Sequence, residues 1–188
     1  MRHLLVAVAS ISLTQCGGVQ KRSARSPVAS VSTAQFEREF LQNRIAHQQA
    51  AVDMTQSCIQ KGQHDQLKQF CSELRTREQE ELNQLQEWSK TWYGTAPVPL
   101  QSREQKTEGY RNFLASVRSS SGAQFDQALL SALRLHHHEG ARESEGCAKG
   151  AVHRELKMMC ETVQTEQERE IKQMSAWICE WFKDCMER

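Results

Sequence analysis

Apolar residues recur along much of this chain at alternating intervals of four and three. The series Leu67, Cys71, Leu74, Glu78, Glu81, Leu85, Trp88 and Trp92 keeps one face of a 3.6-residue helix against a neighbour, the seam of a bundle helix. Leu156, Cys160, Val163, Gln167, Glu170, Met174, Trp177 and Trp181 repeat that spacing. Less regular stripes precede each series: Phe36, Phe40, Asn43, His47, Ala50 and Met54 in one case, and Phe125, Leu129, Ala132, His136, Glu139 and Glu143 in the other. The polar segments 60–65 and 149–154 between them are short enough to force antiparallel neighbours. The pattern therefore predicts two helical hairpins.

The hairpins are copies of each other. Displacing the sequence by 89 residues lays Phe36–Trp92 on Phe125–Trp181 without a gap, with 13 of 57 pairs identical, where chance gives roughly three or four. The identities include rare residue types: His47 with His136, Cys58 with Cys147, His64 with His153, Cys71 with Cys160, Trp88 with Trp177, and Trp92 with Trp181. Two such hairpins make an all-α four-helix bundle related by a pseudo-twofold axis. Repeat 1 spans residues 35–93 and a linker with Pro97 and Pro99 spans 94–109. Residues 110–188 hold repeat 2, preceded by a short amphipathic helix carrying Tyr110, Phe113, Leu114 and Val117. The Trp residues are expected at the bundle's open end.

Composition agrees, with only three Pro and nine Gly in 188 residues, favouring helix over sheet. Lys+Arg (24) and Asp+Glu (23) nearly cancel, so no long-range field recruits nucleic acid or an anionic surface. Any partner is to be found through a local site.

The N-terminus places an apolar run, Leu4 to Leu13, directly before Leu13-Thr14-Gln15-Cys16-Gly17-Gly18. Such a run is too short to span a bilayer and suits a secretory leader. The Leu-x-x-Cys ending resembles a bacterial lipobox, whose Cys is acylated, although Gln15 stands where a small residue is usual. Residues 1–16 are read as a lipoprotein signal with Cys16 as the lipid anchor, on the periplasmic side of the envelope, and 17–34 as a flexible tether. The alternative is an ordinary signal peptide with an incidental Cys.

Six further Cys remain, as a disulfide framework in an exported protein requires. Cys58 with Cys71 and Cys147 with Cys160 face each other just inside the two turns, and closing such loops is worth about 3 kcal/mol; buried free thiols are the alternative. Cys179 and Cys185 have no counterparts in repeat 1, and their spacing allows pairing only where the C-terminal turn unwinds.

Polar side chains occupy predicted core positions in both copies. His47 and His136 lie on the first helices, Glu81 and Glu170 on the second, with Glu78 and Gln167 beside them. His47 and Glu81 both fall about 15 Å from their turn at roughly 1.5 Å per residue, and the pseudo-twofold brings His136 and Glu170 to the same depth. A buried layer of this kind requires internal pairing, water or a metal. Two readings stay open: His–Glu pairs that fix register, and a transition-metal site for zinc, copper or iron. Of His136-His137-His138 only His136 faces inward on this register, with His137 and His138 at the surface or rim. His64 and His153 read as hydrogen-bonded groups at the turns. Met54 and Met174 are available as soft ligands, though methionines at helical spacing are usually core. No nucleophile elbow, phosphate loop, dinucleotide fingerprint, His-Glu-x-x-His or Glu-x-x-His motif occurs, so no enzyme activity is expected.

Phe36-Glu37-x-x-Phe40-Leu41, Ile45-Ala46-His47-Gln48-Gln49-Ala50-Ala51-Val52-Asp53-Met54 and Gln167-x-x-Glu170-Ile171-x-x-Met174-x-x-Trp177 resemble the domain of unknown function 305 family over both repeats. The resemblance implies exported, ferritin-like helical bundles, some of which bind copper through His and Met. Carried over by position, the family's His-His pair becomes His136-His137 in repeat 2 but His47-Gln48 in repeat 1. The first-helix Met is kept as Met54 and the second-helix Met as Met174, while Glu143 and Leu85 replace them in the other copies. The expected metal set is therefore His47, His136, His137, Glu81, Glu170, Met54 and Met174, with copper the metal implied. A structural or protein-interaction module of the envelope with no metal is the alternative.

Overall fold

The structure, a computed structural model, describes residues 27–94 and 108–185, with side-chain environments from 33 onward except Glu108, Gly109, Tyr110 and Phe113. The leader, Cys16 and the prolines of the linker lie outside them. Five helices follow in order: α1 (Pro27–Lys61), α2 (Asp65–Tyr93), α3 (Glu108–Ser119), α4 (Gly122–Gly150) and α5 (Arg154–Phe182). No strand occurs among the described residues. Helix α1 begins inside the stretch read as a tether, because Pro27 suits a first helical turn that has no need of its N–H and Val28 to Ala34 contain nothing that stops a helix. None of the described helices is long and apolar enough to cross a membrane.

Each hairpin is closed by a tight turn and a disulfide. The Gly62 N–H reaches the Cys58 carbonyl at 2.8 Å and Ala151 N–H reaches Cys147 in the same way. His64 and His153 take extended N-cap conformations, without capping through their own side chains. Cys58–Cys71 and Cys147–Cys160 are bonded as expected, each closing a separation of 13 residues. Cys179–Cys185 is bonded as well, and the condition for it is met, since α5 ends at Phe182 and Lys183 turns into the left-handed region at φ 60°.

The first helices of the two hairpins form the centre: α1 packs on both α2 and α4, and α4 on α1, α3 and α5. This position explains their poorer periodicity. A helix with neighbours on two sides buries more than one stripe, and Leu41, Arg44, Ile45, Gln48, Ala51 and Thr55 are buried in α1 along with the predicted His47 and Ala50. The two hairpins run head to tail. Glu37, near the start of α1, holds the α4–α5 turn, and Asp126, near the start of α4, holds the α1–α2 turn. The Trp residues accordingly do not mark an open end. Trp181 stacks on His64 at 4.0 Å and Trp92 on His153 at 3.7 Å, so the free end of each hairpin covers the turn of the other.

Two apolar clusters result. One holds Cys58, Leu67, Cys71, Leu74, Phe125, Leu129, Leu133, Met174 and Ile178; the other holds Leu41, Ile45, Leu82, Leu85, Cys147, Leu156 and Cys160. Each joins the turn of one hairpin to the free end of the other. Polar side chains fill the middle.

Candidate metal centre

His47 and His136 meet at the pseudo-twofold axis. Their rings stack at 3.6 Å with 10° between planes, and both are buried. The level predicted from helix rise is thus realised, because residues eleven positions before their respective turns coincide at mid-bundle when the hairpins run head to tail.

The carboxylates do not pair with these two imidazoles. Glu170 takes the Nε2 of His137 at 3.0 Å and is bonded by the Arg77 guanidinium, with Arg169 at 3.6 Å. On the other side, Gln48 donates to Glu78 and to Glu81 at 2.6 Å. Gln48 and His137 occupy equivalent positions in the repeat, so one copy closes its carboxylates with an amide and the other with an imidazole. His137 is fully buried, not at the rim; α4 is central and needs a second inward face, which the single stripe read from the sequence did not allow for. His138 is exposed as expected. Glu81 lies only half-buried, since Leu82 takes the core position beside it.

Arg44 reaches across from α1 and donates to the Gly140 carbonyl at 3.3 Å. Gly140 leaves no room for anything larger: a Cβ there would stand 2.4 Å from Gln167 Oε1 and 2.8 Å from both Arg44 Nη1 and His47 Nε2. At the equivalent positions the other copy has Leu133 for Arg44 and Ala51 for Gly140. The arginine and the glycine are thus a matched departure from the twofold. Sequence reading missed both, and the one signal available was a cation in an otherwise inward run.

The electrostatics follow from these contacts. Burial and the adjacent Glu78 carboxylate push Glu81 up to about 8, with Arg44 and Arg77 opposing. Burial would raise Glu170 too, but the hydrogen bond and charge of His137 and the guanidinium of Arg77 outweigh it and hold the carboxyl below its ordinary value.

The donor set suits a transition metal, and one ring is already prepared. Nε2 of His137 lies 3.0 Å from the Glu170 carboxylate, and its Nδ1 is buried with no hydrogen-bond partner among the described residues. A carboxylate behind one imidazole nitrogen with the other left open is how a ligating histidine is oriented. The remaining donors are not gathered. Parallel rings 3.6 Å apart direct their in-plane lone pairs side by side and not to one point, and no group of three or more His, Cys, Asp or Glu among the described residues is arranged to hold an ion. Met54 and Met174 lie in the apolar cluster on the Phe125 side of the layer, and Glu81 is occupied by Gln48.

The sequence profile of the family described as a domain of unknown function (DUF305) matches residues 10–89 and 37–178. Among solved structures, CopM in its Cu(I)-bound form is similar at a TM-score of 0.68 and 20% identity, over 78% of this chain and 97% of that one. CopM in the apo form gives a TM-score of 0.67 and 19% identity over 78% and 98%. A DUF305 protein of Streptomyces coelicolor whose description names it as secreted gives 0.66 and 16% over 79% and 95%. No curated protein sequence matches the chain. The identities to solved structures establish a shared fold; the profile, spanning both repeats, establishes kinship, and this chain belongs to the DUF305 family.

Proposed function

We propose that this chain is an exported, non-enzymatic metal-binding protein, held at the cell envelope by a lipid on Cys16, that takes a transition metal of the copper class into the polar layer between its hairpins. His47, His136 and His137 would hold the ion, with Glu170 orienting His137 and with Met54 and Met174 as the nearest soft donors. The observation that carries the reading is the buried, unpaired Nδ1 of His137 behind its Glu170 contact. Imidazole nitrogen and thioether sulfur suit copper in both oxidation states. The CopM structures in Cu(I)-, Cu(II)- and silver-bound forms support the choice, as does the secreted description of the Streptomyces relative for export. Binding requires the His47–His136 stack to turn, so uptake should be slow and sensitive to bundle opening.

A second reading, a register device without metal, is favoured by Arg77, which bonds Glu170, and by Arg44, which spans the layer to the Gly140 carbonyl. Metal content after purification under non-chelating conditions, followed by the melting temperature with added Cu, Zn or Fe, separates the two. A ligand bound to the native state raises the transition by mass action, about 2.7 kcal/mol at a hundredfold excess over Kd. No metal and no shift would leave the register device. His137→Leu should abolish the shift. Mass analysis of the mature N-terminus, with Cys16→Ser as control, tests the anchor.

A further inference from the structure

The two ends of the repeat differ in one respect that the fold does not require. Gly94 ends α2 in the left-handed region at φ 63°, with its N–H on the Lys90 carbonyl. At the equivalent place in α5, Lys183 adopts φ 60° and bonds Cys179 in the same way. Glycine turns there freely, whereas a residue with a Cβ is strained. Only this strained copy is strapped, by Cys179–Cys185 across a separation of six residues. Positions 90 and 96, the counterparts of these cysteines, are Lys90 and Ala96. The repeat therefore closes α2 without a disulfide, and the third bond has no architectural equivalent.

Its accessibility also sets it apart. Cys58, Cys71 and Cys147 have no exposed surface and Cys160 has 3%, while Cys185 is exposed and Cys179 half-exposed. Thiol exchange needs a path for the attacking thiolate to one sulfur, and only this bond offers one.

We propose that Cys179 and Cys185 form a redox-gated soft-metal site: closed as a disulfide, and converted by a dithiol to a pair of thiols that binds one Cu(I). A thiolate of the dithiol attacks Cys185 Sγ, the S–S bond breaks, and Cys179 leaves as thiolate. The dithiol's second sulfur then displaces Cys185 and closes the dithiol's own disulfide. Two electrons pass from the dithiol to the cysteines, the dithiol's two protons go to the cysteine thiols or to solvent as metal binds, and copper stays Cu(I) throughout. Thiolate is a soft donor that suits this ion. Two thiolates on one ion stand at most about 4.6 Å apart, twice a thiolate–metal bond of roughly 2.3 Å. Cα atoms 4.3 Å apart permit that span. The site is independent of the histidine layer.

Anaerobic titration of the full chain with dithiothreitol, alkylation and peptide mapping tests the first half. Cys179 and Cys185 should be modified at reductant concentrations at least about tenfold below those that open the other two bonds, a factor that corresponds to roughly 30 mV; simultaneous opening of all three overturns the proposal. The selectively reduced chain, freed of reductant and given Cu(I) against a chromophoric chelator, should then take up one equivalent more than the oxidised chain. Equal uptake overturns it. Cys179→Ser/Cys185→Ser should lose that equivalent while His137→Leu keeps it, which separates failure here from failure of the central site. Should the double variant misfold by circular dichroism, the oxidised and reduced wild-type chains still decide.

Discussion

Asp126 makes the sharpest test of the head-to-tail arrangement. Its side chain is fully buried and accepts from the backbone N–H of Gln63 at 3.0 Å, from that of His64 at 2.9 Å, and from His64 Nδ1 at 2.7 Å. All these donors belong to the other hairpin. Asp126→Ala removes the acceptor of two turn N–H groups. Each hydrogen bond to a charged acceptor is worth about 1.5–3 kcal/mol, the three are not additive, and breaking a buried pair from one side typically costs about 3–5 kcal/mol. At about 2–4 °C per kcal/mol for a chain of this size, the melting temperature should fall by roughly 6–20 °C. Asp126→Asn retains one acceptor and should fall in between. Asp53, exposed and with its carboxylate accepting from Gln49 at 3.0 Å within the same helix, provides the control, and its alanine variant should stay within about 0.5 kcal/mol of wild type. Thermal and urea unfolding followed by circular dichroism measure all three. If Asp126→Ala melts no lower than Asp53→Ala, the hairpins are not clasped through their turns and the fold described above is wrong in its central feature.

Further outcomes follow from the same contacts. Glu37→Ala should match Asp126→Ala within about twofold by the same melt, since Glu37 holds Val152, His153 and Tyr93 as Asp126 holds the other turn. On the acid side, burial would raise Glu37, but the bonds from Tyr93 and His153 hold it below 4.5; its contribution is full above the unfolded value and lost as pH falls through the lower folded one, so Glu37→Gln should flatten the acid limb of a stability–pH curve. Glu81 has the opposite sign. Its folded value of about 8 exceeds 4.5, so the wild type should lose stability, on the order of a few kcal/mol, as pH rises from 4.5 towards 8, and Glu81→Gln should remove that slope in urea titrations at stepped pH. Gly140→Ala should cost about 1–3 kcal/mol by overpacking, in spite of better helix propensity. Gly146→Ala, with nothing within 4 Å of the new Cβ, should gain up to about 1 kcal/mol.

Periodicity was most informative where a helix has one neighbour. In α2 and α5 the seam read from sequence is the seam observed over most of its length, apart from slips of one residue from Glu81 to Leu82, from Trp88 to Ser89 and from Trp177 to Ile178, and the stapled turns follow from cysteines placed alike in both copies. In α1 and α4 the pattern blurs because these helices bury two faces, and there the site was only partly legible: His47 and His136 were placed at one depth, while His137 was put on the wrong side of α4. Direction was invisible as well. A pseudo-twofold is satisfied by hairpins lying side by side or head to tail, and the stripes do not distinguish them. What distinguishes them is Glu37 and Asp126, acidic residues one position after Phe36 and Phe125, each taking backbone N–H groups from the turn of the other hairpin.

That same requirement explains why the layer sits where it does. Head-to-tail pairing leaves each end of the molecule with one stapled turn and one pair of Trp rings, so both ends are filled by apolar clusters and only the mid-plane lies equally far from both. A polar residue there meets its own counterpart across the axis, as His47 meets His136. Two imidazoles on such an axis stack, and the surrounding charges are resolved off the axis by asymmetric substitutions: Arg44 against Leu133, Gly140 against Ala51, His137 against Gln48. Duplication created the paired histidines, and divergence of their neighbours made them tolerable in the core. The layer should therefore respond more to changes in these unmatched neighbours than to exchange of His47 with glutamine, a neutral group of similar length. Unfolding of His47→Gln beside Arg44→Leu tests this directly, the arginine variant losing more because it leaves Glu78 and Glu81 with one cation fewer.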